Sequence, residues 1–265
     1  MAEARQEGLG YRFERAIVRR PGRSVTDGLR AEDRGAPDHA TYLHEHAAYV
    51  RALQNAGVDV VTLPALQNFP DSVFVEDTAL ALPEGIVILT PGAPSRRGEA
   101  LVMAGDARRL GLAVHWPENR GTVDGGDVLI TEREVLVGQS ARSDRAGINA
   151  LERLLTSLGY RVRAVQTPPG VLHFKSDCSL LGPDTVLATP RLAAGGAFAD
   201  YRVIETPGGE EAAANAIRVN DVVLVAEGFP RTAERLGESG FEVVTVPVSQ
   251  AALLDGGLSC QSLRF

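Results

Sequence analysis

The sequence has few of the features that mark secreted, zinc-binding or membrane proteins. Only two of its 265 residues are cysteines, Cys178 and Cys260, which are too few for a disulfide framework, and neither lies in a CxxC or CxxH pattern. No apolar run approaches membrane-spanning length, and the N-terminus lacks the apolar core of a signal peptide. We therefore expect a cytoplasmic protein with no readable zinc site.

An excess of basic residues is also missing. The chain has 27 Lys and Arg against 34 Asp and Glu, a net charge of −7. This balance argues against nucleic acid or an anionic membrane as the main partner and suits a small cationic molecule. The hydrophobic content of 44% is ordinary for a globular protein, and no Ser/Gly-rich linker divides the chain. We therefore predict a single domain over residues 1–265.

A hairpin pattern recurs along the chain. Each copy has two short apolar strands around a polar turn, and the copies span residues 76–90, 127–138, 178–189 and 215–226. They recur at intervals of about 37 to 50 residues, a spacing typical of propellers and other arrays. Helical patterns cover residues 37–53, 97–110 and 144–158, and a strand pattern follows each helix. The repeat therefore reads ββαβ, and residues 13–18 and 258–263 could form a fifth unit across the chain ends.

Three carboxylates lie in the apolar, strand-like run of residues 69–77. In a strand, the adjacent acids Glu76 and Asp77 point to opposite faces, so at least one of them faces packed protein. Burying a charge is costly without a partner, which here is an Arg of the chain or a cation from outside. The alternative is a pair of solvated acids at a strand end.

Two other segments have a similar double interpretation. Cys260 follows Gly256 and Gly257, and it is either a nucleophile, if a positive neighbour lowers its pKa, or a small buried hydrophobe. His173 follows a Pro-Pro-Gly turn and either reaches a site or caps a strand. Asp124 precedes a Gly-Gly pair, which either forms a simple turn or lets the carboxylate approach and orient a histidine.

Taken together, these segments resemble the dimethylarginine dimethylaminohydrolases within the guanidine-modifying superfamily of amidinotransferases and arginine deiminases. The matching pieces occur in the family order and span nearly the whole chain: residues 69–77, 90–97, 124–129, 137–142, 172–176 and 255–260. The resemblance implies an α/β fold, a five-bladed propeller of ββαβ units with pseudo-fivefold symmetry around a shared mouth, in agreement with the repeat.

The resemblance also implies roles for individual residues. Cys260 matches the nucleophile, His173 the general acid/base, and Asp124 the acid that orients the histidine. The other matching positions bind substrate: the acids Asp71, Glu76 and Asp77, the arginines Arg96 and Arg142 at the amino-acid end, and the lining residues Leu29 and Leu254. Arginine deiminases usually have an Asp two places after the histidine, and Lys175 stands there instead.

The implied reaction is hydrolysis of asymmetric dimethylarginine, and also of monomethylarginine, to citrulline through a covalent thiouronium on Cys260. It requires no metal and no organic cofactor. The implied partner is a small methylated arginine, and we expect neither nucleic acid nor membrane as a partner, and a monomer or homodimer. The alternatives are an arginine deiminase or amidinotransferase of the same superfamily and, more remotely, a non-catalytic binding protein on the same fold.

Overall fold

The computed structural model describes residues 7–118 and 120–265. In these residues the strands form five sheets of three strands each. In chain order the strands are β1 (Arg15–Arg19), β2 (Asp59–Leu63), β3 (Ala79–Leu82), β4 (Gly85–Ile88), β5 (Val114–His115), β6 (Val128–Ile130), β7 (Val135–Gln139), β8 (Val162–Gln166), β9 (Cys178–Leu180), β10 (Thr185–Ala188), β11 (Arg202–Glu205), β12 (Ile217–Val219), β13 (Val222–Ala226), β14 (Glu242–Val246) and β15 (Ser262–Arg264). The α-helices of the same residues are α1 (His39–Asn55), α2 (Arg97–Arg109), α3 (Arg145–Ser157), α4 (Pro190–Ala193), α5 (Pro230–Glu238) and α6 (Ser249–Ala252).

Four of the five sheets in the described residues share one pattern of strand pairing. In the sheet of β3–β5, for example, β3 and β4 form an antiparallel hairpin, and α2 then leads to β5, which is parallel to β4. The sheets of β6–β8 and β12–β14 repeat this arrangement with α3 and α5, whereas in β9–β11, the third of these units, only the four-residue α4 and a run of turns connect β10 to β11. The four predicted hairpins are therefore confirmed, and the full ββαβ unit is present in three of the four.

The remaining sheet joins the two ends of the chain. Its middle strand β1 pairs in antiparallel fashion with β15, placing Ile17 opposite Leu263, and in parallel with β2. The helix α1 makes the connection from β1 to β2. The predicted fifth unit across the chain ends is thus present.

The first helix shows why the sequence predicts these elements well. Asp38 caps α1 by accepting the backbone N–H of Thr41 at 2.7 Å, and the chain leaves the helix at Gly57, whose φ is +88°. Tyr42, Tyr49 and Leu53 lie on one face and are buried among apolar side chains of β1, β13 and β14. Burial of this face anchors α1 against two neighbouring sheets.

Two parts of the sequence interpretation require correction or fall outside the structure. Residues 69–77 do not form a strand, because they fold into turns followed by a short 3₁₀ helix, Val75–Thr78. The expectation that there is no signal peptide is based on residues 1–7, and all of these except Glu7 lie outside the described residues. Within the described residues, no helix has both the length and the apolar character required to cross a membrane.

Candidate active site

A short 3₁₀ turn lies immediately before the first strand of each hairpin and before β15. The five turns are Val75–Thr78, Gly125–Asp127, Phe174–Ser176, Glu211–Ala214 and Ser259–Gln261. We call them the entry turns, because each leads the chain into a strand at a corresponding position of its unit. Five of the ten residues predicted for the site lie on these turns or at their ends: Glu76, Asp77, Asp124, His173 and Cys260.

The first entry turn buries the two adjacent acids. Glu76 and Asp77 are each 3% exposed, and Asp71, in the preceding turn, is 5% exposed. Asp77 accepts a hydrogen bond from the backbone N–H of Gly126 at 3.1 Å and another from Arg96. Burial raises the pKa of Asp71 above its usual range, against the opposing effect of the Arg96 charge. The solvated-acid interpretation is therefore wrong, because all three carboxylates are inside the protein.

The third entry turn begins at His173, which contacts Asp124 directly. The His173 Nε2 lies 2.9 Å from Asp124 Oδ2, and Asp124 is fully buried. Burial alone would lower the pKa of His173, but the charge of Asp77 and the hydrogen bond to Asp124 outweigh it and raise this pKa to about 9. The imidazole is thus held in its protonated form at neutral pH.

Gly126 explains how these groups approach each other so closely. A Cβ atom at this position would lie 2.7 Å from His173 Nδ1 and 3.0 Å from Asp77 Oδ1. Any side chain would therefore push the imidazole and the carboxylate apart. The Gly-Gly pair after Asp124 is a packing requirement of the site as well as a turn.

The last entry turn carries Cys260, which is 8% exposed. Its Sγ lies 3.4 Å from the backbone N–H of Gly257. Burial raises the pKa of the thiol to about 12, and the charges of Glu76 and Asp77 act in the same direction. The thiol is consequently neutral at pH 7, and a positive charge placed among these acids would favour its ionisation.

The two predicted arginines occupy different environments. Arg96 is 3% exposed; its guanidinium donates to Asp77 and Glu99 and to the carbonyls of Asp71 and Phe74. It therefore holds the acid-bearing turn in place. Arg142 is more open, with 24% of its side chain exposed and Nη1 3.7 Å from Asp124 Oδ2. Contact of either residue with the amino-acid end of a substrate stays a prediction.

The two predicted lining leucines also meet at the site. The Leu29 backbone N–H donates to Asp71 Oδ1 at 2.8 Å, and its side chain is 39% exposed. Leu254 is buried, and a Cβ atom added at Gly28 would lie 2.9 Å from Leu254 Cδ1 and 3.2 Å from Asp71 Oδ1. The Leu254 side chain and the Asp71 carboxylate therefore both pack close to Gly28, the residue before Leu29.

A network of supporting residues surrounds the predicted set. Asp127 accepts the Phe174 N–H at 2.8 Å and the hydroxyls of Ser140 and Ser143 at 2.6 Å each, so it ties the His173 turn to the Arg142 turn. Lys175 Nζ lies 2.5 Å from Glu76 Oε1. Sequence interpretation assigned no function to Asp127 or Ser259. The sequence feature that points to Asp127 is an acid directly after Gly125-Gly126 and at the start of an apolar strand, where a buried carboxylate needs a partner.

Asp77, Asp124 and His173 also have the spacing of a metal site. One ligand atom from each lies within 4.8 Å of the others. These atoms are hydrogen-bonded to protein groups, since Asp77 accepts from Arg96 and Gly126 and His173 bonds Asp124. The protein thus satisfies the three groups through its own donors and acceptors.

A cavity lies next to the site. Its volume is about 580 Å³, and its walls come mainly from β3, β6, β15 and the segment before β1. Glu76 and Lys175 line this cavity, whereas Cys260 and His173 do not. The Glu76–Lys175 pair therefore faces both the cavity and the site.

Comparison with known proteins gives a consistent result. A family model described as eukaryotic N,N dimethylarginine dimethylhydrolase matches residues 36–189. A dimethylarginine dimethylaminohydrolase of Pseudomonas aeruginosa is 39% identical over 96% of this chain and 100% of its own length. A solved structure of the enzyme from that organism, a cysteine-to-serine mutant complexed with citrulline, superimposes with a TM-score of 0.92 at 38% identity, covering 96% of this chain and 100% of the other.

A second solved structure concerns a histidine mutant. It is a dimethylarginine dimethylaminohydrolase in which glycine replaces a histidine, in an adduct with S-methyl-L-thiocitrulline. It superimposes with a TM-score of 0.91 at 38% identity and covers 96% of this chain and 100% of the other. With near-complete coverage, a matching family model and the buried Cys, His and acid set on the entry turns, the chain belongs to the dimethylarginine dimethylaminohydrolase family of hydrolases.

Proposed function

We propose that this protein hydrolyses asymmetric Nω,Nω-dimethylarginine to citrulline and dimethylamine, and that it also accepts Nω-monomethylarginine. The observation that carries the proposal is the burial of a neutral thiol, Cys260, beside Glu76 and Asp77, in a member of this family. A guanidinium is flat and positively charged, so it suits a pocket lined by carboxylates. The citrulline complex of the Pseudomonas enzyme supports the same product.

In the proposed mechanism, substrate charge activates the nucleophile. The carboxylates that raise the Cys260 pKa also attract the guanidinium, and the bound cation offsets their effect on the thiol. The thiol releases its proton to solvent, because His173 is already protonated and cannot accept it, and the thiolate then attacks the central guanidinium carbon, forming a C–S bond. Holding the carbon against Sγ makes the step effectively unimolecular, which lowers its entropic barrier.

His173 then acts as general acid and general base. Its protonated imidazole donates a proton to the dimethylamino nitrogen as the C–N bond breaks, leaving a covalent thiouronium on Cys260. The neutral imidazole next removes a proton from a water molecule, which attacks the same carbon, and the C–S bond breaks to release citrulline. Asp124 keeps the ring oriented and favours its charged form.

We propose that side chains of opposite charge bind the α-carboxylate and α-amino group of the substrate. Arg142, with a quarter of its side chain exposed, would pair with the substrate carboxylate, aided by the more buried Arg96. Asp71 and the Leu29 segment would face the amino group, because they already form one contact at 2.8 Å. Leu254 would cover the apolar stem of the substrate.

An arginine deiminase is the second candidate, and Lys175 disfavours it. Its ammonium is paired with Glu76 at 2.5 Å, so it uses one of the carboxylates that an unsubstituted guanidinium would need. Release of ammonia from arginine in preference to dimethylamine from dimethylarginine would favour the deiminase.

We also propose that the five sheets close into one propeller domain over residues 1–265, with the entry turns at a shared mouth. Its support is that the strands nearest the entry turns contact one another, β15 with β3 and β9 with both β6 and β12. Further support comes from the joining of the two chain ends in one sheet. The rotational relation of the units would bring five sequence-distant turns to one place.

Product analysis tests the proposed reaction. Wild-type protein is incubated with asymmetric dimethylarginine, and citrulline and dimethylamine are quantified beside the variants Cys260→Ser and Cys178→Ser. Cys178 is a matched control, because it is also a buried thiol, bonded to the Phe174 carbonyl. We expect stoichiometric products from wild type and Cys178→Ser and a loss of at least about a thousandfold in Cys260→Ser. Equal citrulline from all three would remove the nucleophile assignment, and none from wild type would remove the reaction.

A further inference from the structure

Asn215 lies at the end of the fourth entry turn, in the one sheet unit that supplies none of the ten predicted site residues. It is 9% exposed, and its side chain makes three hydrogen bonds with protein groups. The amide Nδ2 donates to the Lys175 carbonyl at 2.9 Å and to Ser259 Oγ at 3.1 Å, while Oδ1 accepts the Ser259 backbone N–H at 3.0 Å. Asn215 therefore makes two hydrogen bonds with Ser259, the residue directly before Cys260.

The partners fix the orientation of this amide. The Ser259 backbone N–H can only donate, and the Lys175 carbonyl can only accept, so the oxygen must face Ser259 and the nitrogen Lys175. Space is also restricted, since a Cβ at Gly257 would lie 2.4 Å from Asn215 Oδ1. The side chain is thus held in one conformation, with its amide oxygen toward Ser259 and its amide nitrogen toward Lys175.

The contacts continue into a closed ring. Because Asn215 donates to Ser259 Oγ, the hydroxyl proton is free for Glu76, whose Oε2 lies 2.8 Å away. The other oxygen of Glu76 pairs with Lys175 Nζ, and the Lys175 carbonyl returns to Asn215. Four entry turns of four different units are joined in this ring.

We propose that Asn215 is the positioning residue that sets the Cys260 turn against the substrate-binding acids. Through Ser259 it places the nucleophile turn relative to Glu76, and through Lys175 relative to the His173 turn. The inference rests on the proposed hydrolysis only for its kinetic consequence, because the ring itself is independent of substrate. Loss of the ring should therefore affect the rate of thiol attack more than substrate binding, since small misplacements of reacting atoms lower rates by about a hundredfold.

The variant Asn215→Ala tests the proposal, and the chain offers a matched control in Asn220. Like the Asn215 amide, the Asn220 amide accepts one hydrogen bond and donates two. It accepts the Phe13 N–H at 2.9 Å and donates to the carbonyls of Phe13 and Ala56 at 3.1 and 2.8 Å. It lies five residues further along the same unit, and it has a φ of +56° that alanine tolerates poorly. Asn220→Ala is therefore at least as disruptive to folding but leaves the ring intact.

We expect Asn215→Ala to lower kcat for dimethylarginine by about 10- to 100-fold, with KM changed less than about threefold. Asn220→Ala should keep kcat per folded molecule within about twofold of wild type. Ser259→Ala, which keeps the Ser259 N–H bond to Asn215, is a gentler variant and should also lower kcat. Ser259→Thr restores the hydroxyl and should recover kcat to within about threefold of wild type.

A substrate-free measurement separates this inference from the proposed reaction. The rate of Cys260 alkylation by iodoacetamide, assigned by peptide mass, should rise in Asn215→Ala because the turn shielding Sγ is released, and it should be unchanged in Asn220→Ala. This result stands even if wild type does not hydrolyse dimethylarginine. The positioning role is refuted if alkylation and kcat in Asn215→Ala match wild type, or if Asn220→Ala changes them equally.

Discussion

At the scale of single residues, burial and nearby carboxylates raise the pKa of the Cys260 thiol. Burial raises the pKa of Cys260 to about 12, and the charges of Glu76 and Asp77 act in the same direction, so the free protein holds a neutral thiol at pH 7. A cation bound among Glu76 and Asp77 reverses the effect of these acids. In the proposed mechanism, Cys260 therefore becomes nucleophilic only when a cationic substrate is bound.

Sequence interpretation identified the charged members of this site more easily than its supporting members. An acid in an apolar run is conspicuous because burying it is costly, and this drew attention to Glu76 and Asp77. Asn215 begins one of the repeated hairpins and Ser259 lies in one of the matching segments, but neither has a local pattern that predicts a role. Their importance arises from hydrogen bonds between residues 40 or more positions apart, which no local pattern encodes.

We predict that Asp124→Asn moves the alkaline limb of the kcat/KM–pH profile to lower pH. The pKa of His173 is raised to about 9 by the charge of Asp77 and by the hydrogen bond and charge of Asp124, so removing the Asp124 carboxylate lowers this pKa, although Asp77 still supports the protonated ring. The protonated acid is then lost at lower pH, and activity declines earlier as pH rises. The profile is measured with dimethylarginine, and the His173 ring is titrated by NMR.

Asp177→Asn is the control for this prediction. Asp177 is also a buried acid, four residues after His173, but its carboxylate is paired with Arg191 and Thr189. The carboxylates that raise the pKa of His173 most are instead Asp77, Asp124 and Asp127. An equal displacement in both variants would mean that general loss of buried charge, rather than the His173–Asp124 contact, sets the alkaline limb.

At the scale of elements, periodicity and caps predicted the helices and hairpins, whereas the entry turns were missed. The helix over residues 144–158 is α3, with Asp144 as its N-cap, accepting the Gly147 N–H at 2.8 Å. A 3₁₀ turn of three or four residues is too short to show a period, so residues 69–77 resembled a strand. The third unit also departs from the repeat, because the four-residue α4 and a run of turns replace a full crossover helix before β11.

The buried histidine of α1 gives an element-scale prediction. Burial lowers the pKa of His46 to about 4, whereas the unfolded chain has the ordinary value near 6.5. The unfolded state therefore binds more protons between these values, and α1 packing loses stability as pH falls through this window. His46→Leu should remove about 2 kcal/mol of the difference between the unfolding free energies at pH 7 and pH 5.

Urea unfolding at the two pH values measures this difference. His44→Leu is the control, because His44 is exposed on the same helix, and this variant should retain the wild-type pH dependence. A His46→Leu protein that loses as much stability as wild type between pH 7 and pH 5 would show that other groups carry the acid sensitivity.

At the scale of the whole molecule, the repeat was readable because each unit must bury its own hairpin, helix and third strand. The terminal unit differs in one physical respect. Among the five sheets of the described residues, four have a first strand joined to the second by a short hairpin, whereas β15 and β1 lie at opposite ends of the chain. Closing this long loop costs more entropy than closing a hairpin, so we expect β15 to separate from its sheet more easily than the other first strands. The Cys260 turn lies directly before β15 and would be released with it.

This asymmetry predicts different consequences for equivalent core substitutions. Leu263 in β15 is 3% exposed and Leu180 in β9 is 4% exposed, so each truncation to alanine should lower the unfolding free energy by about 2–4 kcal/mol. Only Leu263→Ala should also speed Cys260 alkylation under native conditions, because opening of β15 frees the turn that precedes it without global unfolding. In Leu180→Ala the hairpin to β10 keeps the strand in place, and Cys260 should react at the wild-type rate. Acceleration in both variants, in proportion to their loss of stability, would instead mean that the thiol is reached through global unfolding, and the terminal sheet would then be no weaker than the others.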